Sequence, residues 1–304
     1  MNKYSYSTND ILFFTPNSGS SKVCIIESPY APLESSKHIA KLNRTLVSNT
    51  PLLFEQSNSL EFDKSIFQYY GTGTLIFYKN YPYFITAYHC FESVISDKKF
   101  KYYLPSFAGY PNVFSYDVPI KKIQINKLKL ADIILIPLTS QTYKSISKNY
   151  YFYSEKSFDL DTCDKSLYEV FGYPIKKNKV IYSSDNSDLK PPTITCIHCF
   201  KNNIQDEKYF YLDFNRKNAT KRISKNNTSK EACPKLNGLS GAGVYKININ
   251  KQPKLSGILI EHSDNKNQMK VVKLSFILKH LKNNHQKIIN TIPIPLRYKE
   301  YMTI

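Results

Sequence analysis

Short runs rich in β-branched and aromatic residues recur along the 304-residue chain, each bounded by polar or Pro-containing turns. The clearest are residues 23–26, 74–78, 83–87, 118–125, 133–138, 168–171, 209–214, 243–247 and 255–260. Runs of this length with turns between them predict strands, and many of them in series predict an all-β sandwich or barrel. Two stretches carry helical spacing instead. Residues 36–48 are polar and basic, with Ile39, Leu42 and Leu46 on one side; residues 275–288 place Phe276, Leu278, Leu281 and Ile288 on a partly periodic face, with Ser275 available as a cap. The most polar stretch, 215–235, reads as a long exposed loop. It carries Arg216, Lys217, Lys221, Arg222, Lys225, Lys230 and Lys235 against a single acid, Glu231. No internal repeat or heptad is present.

Composition narrows the class. Hydrophobic residues make up 41% and aromatics 14%, enough for a sizeable core, which excludes global disorder. Nine Gly and 16 Pro exclude collagen-like or low-complexity architecture. No apolar run approaches the roughly 18 residues of a membrane helix. Near the start only Ile11-Leu12-Phe13-Phe14 is apolar, too short for the core of an export signal, so a cytoplasmic location is the expectation. The net charge of +18 comes from lysines spread over the whole chain, and this spread reads as a solvated surface. A basic surface also attracts nucleic acid by counterion release. The bases of 215–235 are not interleaved with aromatics, so stacking readout of nucleic acid is not favoured.

Cys24, Cys90, Cys163, Cys196, Cys199 and Cys233 are unevenly spaced, unlike the disulfide framework of a small secreted domain, and read as free thiols. Cys196-Ile197-His198-Cys199 has the spacing of zinc and redox motifs, yet no second ligand pair accompanies it, so ordinary thiols are the better reading and neither metal nor cofactor is expected. His38, His280 and His285 lie on polar stretches and read as surface residues.

Three segments carry candidate chemistry. Gly71-Thr72-Gly73-Thr74-Leu75-Ile76 precedes Phe84-Ile85-Thr86-Ala87-Tyr88-His89-Cys90; next comes Leu130-Ala131-Asp132-Ile133-Ile134-Leu135; last comes Asn237-Gly238-Leu239-Ser240-Gly241-Ala242-Gly243. A serine hydroxyl attacks an amide only when an imidazole takes its proton, and a carboxylate must fix that imidazole's tautomer. Backbone N–H groups must also meet the developing oxyanion. Gly238 and Gly241 around Ser240 suit such a turn: Gly238 can adopt backbone angles other residues resist, and Gly241 lets a substrate approach closely.

In order and local pattern these segments resemble the chymotrypsin-like (trypsin-fold) serine peptidases. Thr86-Ala87-Tyr88-His89-Cys90 is similar to the family's histidine motif, Asp132-Ile133-Ile134-Leu135 to its aspartate motif and Gly238-Leu239-Ser240-Gly241 to its nucleophile turn. Phe171-Gly172-Tyr173-Pro174 and Gly257-Ile258-Leu259-Ile260 resemble the strands flanking that turn. The resemblance covers roughly residues 61–290. It implies two antiparallel six-stranded β-barrels, with His89 and Asp132 in the first (61–150) and Ser240 in the second (151–304, with a C-terminal helix), while residues 1–60 form an extension of unassigned role. It also implies His89 as general base, Asp132 as its orienting group and the N–H groups of Gly238 and Ser240 as oxyanion hole. Pro234, Ile260, Glu261 and His262 fall where the family binds substrate side chains.

The departures matter too. Leu239 stands where zymogen-activated members carry an Asp that pairs with a newly cut N-terminus, and Cys90 lacks the family's partner cysteine. The expectation is therefore an endopeptidase not switched on by N-terminal cleavage, acting on a protein or peptide substrate and controlled by the 60-residue extension or by a regulatory partner. By analogy with bacterial members, the setting is stress or antiviral defence. The rival expectation is a catalytically silent trypsin-fold module that binds a protein or nucleic acid.

Overall fold

The computed structural model describes residues 24–29, 49–57, 65–90, 102–105, 113–116, 126–128, 131–138, 143–144, 147, 150–161, 166–175, 193–214, 220–224, 227–229, 236–247 and 252–290. They form sixteen strands and one long helix. One sheet runs through β1 (Cys24–Pro29), β9 (Leu167–Gly172), β10 (Thr193–Gln205), β11 (Tyr209–Asp213), β12 (Thr220–Ser224), β13 (Asn227–Ser229), β14 (Gly243–Lys246), β15 (Lys254–Ser263) and β16 (Gln268–Lys273). The other holds β2 (Asn49–Ser57), β3 (Ser65–Tyr78), β4 (Tyr81–Ala87), β5 (Tyr102–Pro105), β6 (Val113–Tyr116), β7 (Asn126–Leu128) and β8 (Ile133–Pro137). The helix α1 (Leu274–Ile289) ends the described chain.

The first of these sheets closes on itself. In the order β11-β16-β15-β14-β9-β10, the pairing of β10 with β11 completes a six-stranded barrel, and β1, β12 and β13 continue outward from β10. Alternation explains the inside. Val170, Ile197, Val244 and Leu212 fill it together with Leu239 and Met269, all nearly inaccessible. Residues of opposite parity on the same strands, such as Phe171 and Tyr245, face a second core shared with the other sheet and with α1. Strands β4 and β8 are buried along almost their whole length because that shared core covers them.

The other expected barrel, the one of 61–150 carrying His89 and Asp132, is not shown closed among the described residues. Its strands lie in the order β6-β5-β2-β3-β4-β8-β7, and among the described residues no ladder joins β6 to β7. These end strands run only four and three residues, leaving few backbone groups to form one. The described residues are thus mostly β, with one closed six-stranded barrel, a seven-stranded sheet not seen to close and a C-terminal helix. Both β1 and β2 come from the first 60 residues: β1 joins the barrel sheet and β2 pairs along nine residues of β3.

Other expectations fare unevenly. The helix of 275–288 is present, but Lys273 occupies its N-cap and Ser275 lies inside the first turn. Its buried face is Leu274, Ile277, Leu281, His285 and Ile288. His285 is therefore a core residue, not a surface one, because it falls four positions after Leu281 on the same face. Part of the expected loop 215–235 is the β12–β13 hairpin. The helix of 36–48 and the strand of 118–125 lie outside the described residues, as does His38.

Candidate active site

Strand β4 ends in a short turn carrying His89, and Asp132 sits in the turn entering β8, its immediate neighbour. Ladder pairing of Ala87 with Ile133 brings the two turns together, and Tyr88 N–H donates to the Asp132 carbonyl at 2.9 Å. Asp132 adopts φ +53°, a left-handed conformation that Asp tolerates better than most residues. From there its carboxylate accepts twice from His89: Oδ1 from the backbone N–H at 3.0 Å and Oδ2 from ring Nδ1 at 2.6 Å. A carboxylate only accepts, so Nδ1 carries the proton and Nε2 is the remaining basic atom. The His89 side chain is 46% exposed, which leaves the ring accessible. The hydrogen bond to Asp132, then that to the Cys90 side chain, push the His89 pKa up to about 10 against the opposing effect of burial.

Ser240 lies on the turn before β14, half-buried. Its carbonyl accepts from Thr72 N–H at 3.2 Å and faces the Cys90 thiol at 3.8 Å, so the Ser240 backbone abuts the residue next to His89. Among the described residues no hydrogen bond joins Ser240 Oγ to His89; such bonds are commonly long before substrate arrives.

Every carbonyl from 237 to 241 is held. Asn237 O accepts from Ile175 N–H (2.8 Å), Gly238 O from the Thr72 hydroxyl (2.8 Å) and Leu239 O from Ala242 N–H (2.9 Å). Ser240 O accepts from Thr72 N–H, and Gly241 O from the Thr74 hydroxyl (3.0 Å). In a trans peptide the carbonyl and the following N–H point in opposite directions. Fixing Asn237 O and Leu239 O therefore fixes the directions of the Gly238 and Ser240 N–H groups. Neither N–H is taken by an acceptor among the described residues, whereas those of Leu239, Gly241 and Ala242 are. Glycine is required twice. Gly238 has φ +99°; Gly241 has φ +93°, and a Cβ there would fall 1.9 Å from Thr72 O.

The remaining sequence-derived residues are less unified. Pro234 lies outside the described residues. Leu259 joins the Ser240 turn through Gly241 N–H (2.7 Å) and Ala242 O (2.9 Å), and Ile260, next along β15, is buried in the shared core. Glu261 is exposed, and half-buried His262 lies 3.8 Å from Asp264. Leu239 is buried in the barrel core among apolar neighbours. Of the CIHC segment, Cys199 is a reduced core thiol on β10. Sequence reasoning missed Thr72, Thr74 and Thr86; the signal for the first two was their alternation with Gly71 and Gly73 along β3, while Thr86 on β4 carried none.

No family model matches the chain, and a search of curated proteins finds no match. Solved structures do match. One comes from work on the coupled folding and binding of the intrinsically disordered Sesbania mosaic virus VPg protein, with 11% identity, TM-score 0.42, and coverage of 77% of this chain and 95% of that one. Another is a thermostable serine protease, AL20, from an extremophilic microorganism, with 9% identity, TM-score 0.44, and coverage of 80% and 98%. Among the described residues no helix is long and apolar enough to cross a membrane.

Proposed function

We propose that the chain is a serine endopeptidase acting through an acyl-enzyme, with Ser240 as nucleophile. The observation carrying this reading is the doubly bonded His89–Asp132 pair, packed through Cys90 against a turn with two N–H groups that no acceptor among the described residues claims. Ser240 Oγ attacks the scissile carbonyl carbon while its proton passes to His89 Nε2. Asp132 Oδ2 keeps the ring oriented and balances the imidazolium. The oxyanion takes hydrogen bonds from Gly238 and Ser240 N–H. The intermediate collapses as His89 returns the proton to the leaving amine, and water then hydrolyses the ester by the same route.

The substrate class is a protein or peptide, with Pro234, Ile260, Glu261 and His262 as the wall that selects side chains. Limited cleavage of one partner in the cytoplasm, under a regulatory protein, fits a chain in which buried Leu239 stands at the zymogen-switch position. A setting in bacterial stress or antiviral defence belongs to the same reading. The alternative, a catalytically silent binding module, is favoured by one observation. With its pKa near 10, roughly one imidazole in a thousand is free of its second proton at pH 7.

Mass-spectrometric comparison of protein N-termini in host cells producing wild type or Ser240→Ala tests the proposal. New ends confined to wild-type cells support it; identical sets of ends under every inducing condition overturn it in favour of the silent module.

A further inference from the structure

Three fully buried threonines surround the nucleophile turn: Thr72 and Thr74 on β3, and Thr86 on β4. A buried hydroxyl without partners destabilises a fold, so the bonds these residues make indicate their role. Thr86 donates to Thr72 O at 2.7 Å, inside the sheet that carries His89. Thr74 crosses to Gly241 O at 3.0 Å. Thr72 does more. Its hydroxyl donates to Gly238 O at 2.8 Å and accepts from Tyr173 N–H at 2.9 Å, while its backbone N–H donates to Ser240 O at 3.2 Å. One residue thus ties the His89-bearing sheet to the segment after β9 and to the turn on both sides of Leu239. The fit is close: a Cβ on Gly172 would fall 3.1 Å from this hydroxyl.

From this arrangement we infer that Thr72 is a positioning residue for the oxyanion donors. The inference rests on the peptidase reading of Ser240. Gly238 has no Cβ to hinder rotation, and its φ of +99° lies where glycine moves freely. Its two flanking peptides are held by Ile175 N–H on one side and by the Thr72 hydroxyl on the other. Without the hydroxyl, Gly238 O and Tyr173 N–H both lose a buried partner, and the Gly238 N–H, whose own peptide is held through Asn237 O, loses the anchor on the far side of its Cα. Thr72 touches no reacting atom. It acts through Gly238, and its contribution appears only when negative charge develops on the substrate oxygen.

The test uses the full chain and a fluorophosphonate probe, whose phosphoryl oxygen occupies the place of the oxyanion. Second-order labelling rates are measured from pH 7 to 10.5 for wild type, Thr72→Val, Thr72→Ser and Ser240→Ala. In Thr72→Val the rate should fall on the order of tenfold to a hundredfold, below the loss expected for deleting a donor outright. Its ascending pH limb should stay where the wild type's lies, because His89 and Asp132 are untouched. Thr72→Ser keeps the hydroxyl and should label within about threefold of wild type. If Thr72→Val does not fold, Thr72→Cys, a weaker donor of similar size, should give an intermediate loss with the same pH limb.

Wild-type rates in Thr72→Val would overturn the inference. So would a displaced limb, or a loss in Thr72→Ser as large as in Thr72→Val. Those outcomes leave the peptidase reading standing. Absence of Ser240-dependent labelling in wild type at every pH defeats that reading, and the inference with it.

Discussion

Both carboxylate oxygens of Asp132 engage His89, one on the backbone N–H at 3.0 Å and the other on ring Nδ1 at 2.6 Å. The backbone bond fixes the residue, and the ring bond fixes the tautomer. The same ring bond favours the charged imidazolium, which on the proposed mechanism sets a cost near neutrality.

That cost has a measurable consequence. With the imidazole pKa at about 10, fluorophosphonate labelling should rise steeply from pH 7 toward pH 10. Asp132→Asn should bring the limb down toward the ordinary histidine value while lowering the plateau, since an amide also accepts the wrong tautomer. Linkage runs in the same direction. A raised folded-state pKa contributes stability that is fully present below about pH 6.5 and lost as pH rises through about 10. A flat labelling profile between pH 7 and 10 would contradict this account.

Strand β2 makes a second prediction. Residues 49–57 pair in continuous sequence against β3, whose Thr72 and Thr74 hold the turn carrying Ser240. Leu239 is already seated in the barrel core. Deleting residues 1–60 should therefore lower the thermal midpoint and reduce Ser240 labelling, with the intact chain labelling uncleaved. A truncated chain that labels faster than the full one would reverse this view.

Gly71 and Cys90 supply a geometric check. A Cβ on residue 71 would lie 3.1 Å from Cys90 Sγ and 3.6 Å from Cys90 Cβ. The latter falls within the Cβ–Cβ range of about 3.5–4.5 Å that a disulfide requires. Gly71→Cys should therefore form an intramolecular bridge to Cys90 on mild oxidation, detected by peptide mapping and loss of two titratable thiols. Persistently free thiols would mean that β3 and the His89 turn are not aligned as described.

Helix α1 docks through a polar contact inside an apolar interface: His285 Nδ1 lies 2.8 Å from the Tyr83 hydroxyl, with the Tyr78 and Tyr81 rings edge-on around it. Burial and then Lys79 lower the His285 pKa. A lowered histidine favours the fold in its neutral form, so this contribution is present above about pH 6.5 and lost as pH falls below it. Tyr83→Phe should cost about 1–2 kcal/mol in urea unfolding at pH 7.5. His285→Phe should flatten the decline in stability between pH 7 and 5. An unchanged decline in that variant would exclude His285 as its source.

Much of this was legible from local pattern. The aliphatic runs of β8 and β15 and the glycines around Ser240 reveal themselves in sequence because burial and turn geometry restrict residue choice there. What stayed hidden depends on contacts distant along the chain. Thr72 and Thr86 look like ordinary strand residues until the turn at 238–241 folds against them. His285 looks like a surface residue because its neighbours Asn283, Asn284, Gln286 and Lys287 are polar, although its own position falls on the buried stripe. Closure of the barrel expected to carry His89 was carried over from family resemblance, and among the described residues the short strands β6 and β7 do not supply it.

The most direct measurement concerns the serine itself. Full-length protein is incubated at pH 9.5 with a fluorophosphonate, and the adduct is located by intact mass and peptide mapping. The account predicts one adduct, on Ser240, lost in Ser240→Ala and suppressed at least a hundredfold in His89→Ala, about the least that removing a general base costs. An adduct elsewhere, or labelling of Ser240 indifferent to His89, would contradict it.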